Sequence, residues 1–222
     1  MRIGENLSQS FGYAKEGFFG KWGRWIVLII SSIIFPLIFG YTLRVMRGIT
    51  PAPEPSEYGS MFIDGIKMWI IEIIYMIIPV ILAFVIFLLS GGLSVGTLIV
   101  MGVANPAAIG SMLLGTLGLS FAVLLIFAII FSLFMTIGLI RFARSGKMGD
   151  AFAFSQIASI IGKIGWIKYI VAVIVLIIVL GIIYFILSII PFIGWLLALI
   201  FMPFLAVVGA RYYTMIYESV QS

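Results

Sequence analysis

The sequence predicts an all-α protein, a polytopic membrane helix bundle, and three observations carry that expectation. Residues 73–140 contain no Asp, Glu, Lys, Arg or His. A soluble domain of this size cannot hide that much aliphatic sequence, whereas a bilayer dissolves it. The whole chain of 222 residues is 64% hydrophobic and 9% charged, with a mean hydropathy of +1.30, far from the roughly 25% charge of an average soluble domain. The basic residues stand at the ends of apolar runs, as the flanks of membrane helices do. Together these predict one membrane domain over 1–222 with four full crossings, an N-terminal short hairpin (re-entrant, or else a thin crossing) and two amphipathic interfacial helices.

Composition also closes off chemistry. Cysteine and histidine are both absent, which removes Cys/His zinc sites, haem ligation by histidine, thiol nucleophiles and Ser-His-Asp catalysis. The eight acids are scattered, so no metal site, catalytic group or cofactor is expected. The net charge of +5 lies at helix flanks facing anionic lipid. With no extended basic and aromatic surface, no nucleic-acid partner is expected. The partners expected are membrane lipids, with a second copy or another membrane protein as further possibilities.

Residues 1–24 do not read as a signal peptide, because the first apolar run begins only at Trp25 and no small-residue cleavage site follows. Ile3, Leu7, Phe11, Ala14, Phe18 and Trp22 recur at helical steps. This helix lies in the headgroup plane, or packs on the protein's own core. Residues 25–43 are uncharged and interrupted by Ser31, Ser32 and Pro36. Nineteen residues are just enough for a thin crossing at about 1.5 Å each, and the alternative is a hairpin turning near Pro36. After Arg44 and Arg47, residues 48–60 carry Pro51, Pro53 and Pro55, which favour an extended, solvated cytoplasmic linker.

Residues 66–89 form the next crossing, with Asp64, Lys67 and Trp69 at its water end and Pro79 as an expected kink. The glycine-rich 91–118 is expected to form one or two short pieces near the far face. A straight helix from 106 to 140 would be about 52 Å long against about 30 Å of hydrocarbon, so the crossing is placed at 119–140. Within that stretch Asn105-Pro106 is a good helix start, Asn as N-cap and Pro at the first helical position. Asp150 is expected to cap a second interfacial helix over 150–164, with Phe154, Ile157, Ile161 and Ile164 on one face. Crossings at 166–189 and 192–210 follow, joined by a turn at Pro191 to Gly194.

Under this threading Arg44, Arg47, Lys67, Arg141, Arg144, Lys163, Lys168 and Arg211 share one side, and the opposite connections hold no charge. The positive-inside rule places that side, with both termini, in the cytoplasm of a multi-pass cytoplasmic-membrane protein. A returning hairpin over 25–47 keeps all thirteen Lys and Arg on that side, and is favoured for that reason. A weak internal echo agrees. Gly20-Lys21-x-Gly23 precedes the first apolar hairpin and Gly162-Lys163-x-Gly165 the last two crossings. Each unit then runs through an apolar arm, a proline turn (Pro36 or Pro191), a second arm and an arginine (Arg44 or Arg211).

Gly40-Tyr41 followed by Arg44, the Pro53/Pro55 linker, Phe62-x-Asp64-Gly65-x-Lys67 and Tyr75-x-x-x-Pro79 resemble an uncharacterised prokaryotic membrane family, domain of unknown function DUF4013. Ala151-Phe152 and Pro191-x-x-Gly194 fit it too, so the resemblance spans nearly the whole chain. It implies a bacterial or archaeal cytoplasmic-membrane protein and brings no known activity.

Ionisable groups inside a membrane are functional candidates because burying them is costly. Glu72 is the most deeply placed acid, with Lys67 and Asp64 at the mouth of the same helix, able to pair three residues apart. Its expected partners are Arg44 or Arg141 at the end of a neighbouring helix. The competing reading is that Glu72 reaches water or forms a structural ion pair. Asn105 and the hydroxyls of Ser94, Thr97, Ser111 and Thr116 could line a broken-helix site. The same stretch also holds Gly92-x-x-x-Gly96 and Ser111-x-x-x-Gly115, which serve close helix packing. Trp22, Trp25, Trp69, Trp166, Tyr169, Trp195, Tyr212 and Tyr213 are explained by an interfacial aromatic belt. The sequence therefore reads as a non-catalytic scaffold, assembly or lipid-organising protein of the membrane. The alternative is a small-solute transporter or channel using Glu72 and the Asn105-Pro106 region. An enzyme is not expected, since no nucleophile or acid–base pair can be identified.

Overall fold

The computed structural model describes residues 2–102 and 105–221, and among these there is no strand. The helices are α1 (Ile3–Phe18), α2 (Trp22–Ile33), α3 (Phe35–Met46), α4 (Tyr58–Phe87), α5 (Leu93–Met101), α6 (Pro106–Ser145), α7 (Phe154–Ile164), α8 (Trp166–Ile189) and α9 (Gly194–Glu218). Four helical runs are long and apolar enough to cross a membrane: Tyr58–Met101, Pro106–Ser145, Trp166–Ile189 and Gly194–Glu218. The all-α polytopic bundle follows from these lengths. The chain divides into two compact units, Met1–Ile71 with Thr136–Ser222, and Glu72–Met135.

In the first unit α9 is the central helix, packed by α1, α2, α3, α7 and α8. Its buried residues include Pro203, Phe204, Val207, Val208, Tyr212 and Ile216. The side chain of Phe204 receives Phe11, Phe18 and Trp25, with ring centroids 5.6–6.3 Å apart. Helix α1 thus packs on the protein's own core. Its buried stripe is Ser10, Tyr13, Ala14, Gly17 and Phe18, rotated from the most apolar face because small residues and a hydrogen-bonded tyrosine allow closer approach than bulky aliphatics do.

Residues 25–43 return on themselves. Helices α2 and α3 have 12 residues each, about 18 Å, too short to cross singly. Arg24, at the start of α2, bonds the Ala52 carbonyl and the Glu54 carboxylate just beyond α3, so the chain enters and leaves at one end. The break falls at Ile34, whose backbone is non-helical, with Pro36 opening the second arm. The order of elements expected from the echo is present: α1, α2 and α3, then α7, α8 and α9, the first pair of arms about half the length of the second.

Helix α3 crosses the start of α4 at two glycines. A Cβ on Gly40 would collide with the Met61 carbonyl, and one on Gly65 with the Pro36 carbonyl. Neither obstacle is a side chain that can swing aside. The small-residue spacings read as packing motifs do not behave this way: Gly96 and Gly115 have no neighbour within 4 Å of such an atom.

Several boundaries differ from expectation. The chain runs helically through Pro79, and its backbone instead leaves helical angles at Gly91 (φ 117°), inside a π turn over Leu88–Gly92. One short piece, α5, follows, but α6 then begins at Pro106 and runs 40 residues without interruption, so 106–118 belongs to the same helix as 119–140 rather than to a separate short piece. No proline lies between Pro106 and Pro191, and a glycine in a helix costs only about 1 kcal/mol. An opened backbone in lipid costs several kcal/mol per unpaired group, so the helix continues through Gly110, Gly115 and Gly118. Asp150 does not cap α7. It sits in a 3-10 turn over Met148–Phe152, and the helix begins at Phe154 behind Ala153. Helix α9 extends to Glu218, about two turns past the expected end at Ala210.

The α3–α4 crossing generates a test. Overpacking against fixed backbone costs about 1–3 kcal/mol, so Gly65→Ala is expected to lower the thermal midpoint of the detergent-solubilised protein. Gly96→Ala, with open space around it, is expected to leave the midpoint unchanged or raise it slightly. Equal midpoints for Gly65→Ala and wild type would refute the close crossing.

Candidate functional site

Polar groups in the first unit gather around the segment between α3 and α4. Prolines 51, 53 and 55 have no N–H, so this stretch cannot satisfy itself by secondary structure, and its carbonyls need outside donors. Side chains from three helices supply them. Tyr13 of α1 donates to the Ile49 carbonyl at 2.8 Å, and Tyr41 of α3 to Pro53 at 2.8 Å. Arg24 of α2 donates to Ala52 at 3.3 Å and to Gly17 at 3.1 Å. Arg44 of α3 donates to Ser56 at 2.6 Å, Glu57 at 3.3 Å and the Ser60 hydroxyl at 2.8 Å. The solvated connector expected from the prolines is a strap laced onto the bundle.

Charge follows the same pattern. Arg24 has a side chain 5% exposed and holds Glu54 through both Nε and Nη2. Arg47 pairs with Asp64 at 2.6 Å. Arg144 pairs with Glu218 at 2.5 Å, and Arg211 approaches the same carboxylate at 3.6 Å. A Cβ built on Gly48 would lie 2.7 Å from Glu218 Oε1 and 2.9 Å from Arg144 Nη2. The ends of α3, α6 and α9 therefore meet, and Arg47 and Arg144 lie at the same end of this unit. Tyr13, beneath the Arg211 guanidinium at 5.2 Å, has its pKa pushed up to about 12 by burial, partly offset by Arg211 and Arg24. It stays a neutral donor to the strap.

The residues singled out in the sequence distribute as follows. Asp64 is held by Arg47 rather than by Lys67, which is half-buried beside it on α4. Both arginines expected to meet Glu72 are engaged elsewhere. Arg44 serves the strap, and Arg141 donates to the Asp150 carbonyl at 3.1 Å and to the Gln156 side chain. Glu72 itself is half-buried and belongs to the second unit, which contains no Lys or Arg. Asn105 is exposed and caps α6, its Oδ1 accepting from Ala107 N at 3.0 Å. Thr97, Ser111 and Thr116 donate back to carbonyls of their own helices. An apolar cavity of about 260 Å³ in this unit is lined by Phe84, Phe87, Leu117 and Phe121 with the Ser120 side chain. Neither Glu72 nor Asn105 borders it. Among the described residues no three His, Cys, Asp or Glu groups gather as a metal site would require.

The aromatic belt divides. Trp22, Trp69, Trp166 and Trp195 are exposed, whereas Trp25, Tyr169 and Tyr212 are core residues. Trp25 Nε1 donates to the Ile200 carbonyl at 2.9 Å, and Tyr212 donates to Ala172 at 3.1 Å, tying α9 to α8. Tyr13, Tyr41 and Arg24 were missed as candidates. Their signal was present as long donors within a helix of a proline-rich stretch whose carbonyls lack partners.

The strap depends on Arg24. Removing it leaves the Gly17 and Ala52 carbonyls without this donor, and a buried acceptor left unpaired costs about 1–3 kcal/mol. Arg24→Ala is expected to lower the thermal midpoint and to open residues 49–57 to limited proteolysis. Arg2→Ala, which breaks an exposed pair with Glu5, is expected to change neither, since such pairs contribute about 0–1 kcal/mol.

No curated protein and no solved structure matches the chain. A family model does match, over residues 25–192, and its description is a protein of unknown function. That span covers the hairpin, the strap, the α3–α4 crossing and most of the long helices, and the chain belongs to the DUF4013 family.

Proposed function

We propose that this protein is a non-catalytic component of the cytoplasmic membrane that scaffolds an assembly or organises lipid around itself. The observation that supports it most is where its polar groups go. Arginines 24, 44, 47, 141 and 144 are taken up in closing one end of a bundle and fastening the strap. The hydroxyls of Thr97, Ser111 and Thr116 in the second unit return to their own helix backbones. A transport path would call for convergent polar groups near the middle of the membrane, and Asn105 is instead an exposed helix cap. Large exposed apolar residues on α8, such as Ile167, Ile177 and Phe185, suit a surface wetted by lipid or by another membrane protein.

In this reading the arginine-rich end faces the cytoplasm, following the positive-inside rule. Because the chain has no cysteine, single substitutions report sidedness without background. Ser56→Cys and Ser145→Cys are expected to react with a membrane-impermeant maleimide only from the cytoplasmic side, and Phe192→Cys only from the other. Labelling of Ser56→Cys and Ser145→Cys from opposite sides would undo the threading.

Function is tested by reconstitution. Vesicles carrying the protein are expected to pass small solutes no faster than protein-free vesicles, for wild type and Glu72→Gln alike. A flux that appears with the wild type and disappears in Glu72→Gln would replace the scaffold by a transporter.

A further inference from the structure

Beside the strap lies a polar cavity of about 610 Å³, bounded by α1, Thr50 and Pro51 of the strap, and α9. Its volume falls within the range of sites that take small molecules, about 300–1,000 Å³. Arg211 and Glu16 both line it, with Gln9, Tyr13, Thr50 and Met215. All these residues belong to the first unit.

Arg211 differs from the other arginines at this end. Arg24, Arg44, Arg47, Arg141 and Arg144 each donate hydrogen bonds. Among the described residues Arg211 has no hydrogen-bond acceptor, and its Nη1 is buried without a partner. Its one carboxylate, Glu218, stands 3.6 Å away and is held more closely by Arg144. A guanidinium carries five N–H donors, and a buried donor left unpaired costs about 1–3 kcal/mol. The Tyr13 ring fixes one face of the group but accepts no conventional hydrogen bond. Arg211 also lines the cavity, where an anionic oxygen would pair with the guanidinium.

The opposite sign lines the same cavity. Glu16 is exposed and, among the described residues, forms no ion pair. A simple anion would be drawn by Arg211 and repelled by Glu16. A ligand with a phosphate at one end and a primary amine at the other answers both charges. Thr50 and Gln9 add neutral hydrogen-bonding groups, and Met215 an apolar wall.

We propose that this cavity binds the phosphoethanolamine headgroup of a membrane phospholipid, its phosphate on Arg211 and its ammonium on Glu16. The assignment deepens the lipid-organising reading and rests on it. A lipid is favoured over a free headgroup because one wall is α1, whose other residues pack on membrane-spanning α9.

The test uses the full chain purified in mild detergent, with bound lipid counted by native mass spectrometry. Phosphatidylethanolamine and phosphatidylglycerol of identical acyl chains are added in equal amounts. Wild type is expected to retain phosphatidylethanolamine over phosphatidylglycerol by about tenfold, the value of one charge-assisted contact. Arg211→Gln is expected to lose about tenfold in its retention. Glu16→Gln, a change at an exposed position, is expected to keep the fold and abolish the preference between the two lipids. Equal retention of both lipids by wild type, or a preference unmoved by Glu16→Gln, overturns the headgroup assignment while leaving the lipid-organising reading intact. Wild type that retains no lipid at all sinks that reading itself. Millimolar free phosphoethanolamine is expected not to displace the lipid; displacement would reassign the cavity to a soluble ligand and overturn the proposal.

Discussion

A proline-rich stretch has few N–H groups of its own, so its carbonyls are matched by donors from other elements or by water. That constraint organises the first unit. The segment after α3 holds three prolines within five residues, so its oxygens at 49, 52, 53, 56 and 57 turn outward to other elements. Tyr13, Arg24, Tyr41 and Arg44 answer them, and in doing so fix α1, α2 and α3 relative to one another. The same donors explain why α2 and α3 return instead of crossing. The start of one and the exit of the other are tied to a single piece of backbone.

Packing completes what hydrogen bonding begins. Two glycines let α3 lie directly against the first turns of α4, with carbonyls of each helix where the other would carry a side chain. Phe204 gathers the aromatic rings of α1 and α2 onto α9, and Tyr212 binds α9 to α8. Pro203 leaves the Leu199 carbonyl without its helical donor, one residue before the carbonyl that Trp25 uses. Stabilisation in this unit therefore comes from close contact and from satisfied backbone, in keeping with a setting where lipid removes most of the hydrophobic drive between helices.

Much of this architecture was legible in the residues. Uncharged lengths marked the four helical runs long and apolar enough to cross a membrane, and the placement of the Lys and Arg residues favoured a returning hairpin over a thin crossing. Asn105 and Pro106 correctly marked the start of α6. Other features were not legible, for physical reasons. Nothing local distinguishes Gly40 and Gly65 from Gly96 and Gly115, because a close crossing is a property of two helices and is invisible along one. Asp64 found Arg47, seventeen residues away, where helical spacing offered Lys67. The uninterrupted α6 was not expected because its length was measured against the hydrocarbon thickness, and a helix can run on past the layer it crosses. The candidate site shifted in the same way: attention went to the deepest acid, while the informative groups were ordinary arginines and tyrosines opposite a proline-rich stretch.

Helix α6 carries 35 successive residues without charge before Arg141, about 52 Å of apolar cylinder at 1.5 Å per residue. Standing upright in a hydrocarbon layer about 30 Å thick, it would push roughly 20 Å of aliphatic surface into water. Leaning until its apolar length fits would need an inclination of about 55°, beyond the 0–40° of most membrane helices. Hydrophobic stretches longer than the hydrocarbon layer are accommodated by tilting, kinking or local thickening of the bilayer, each at a modest cost per ångström of mismatch. A rod of this length therefore fits a thick hydrocarbon layer at less cost than a thin one.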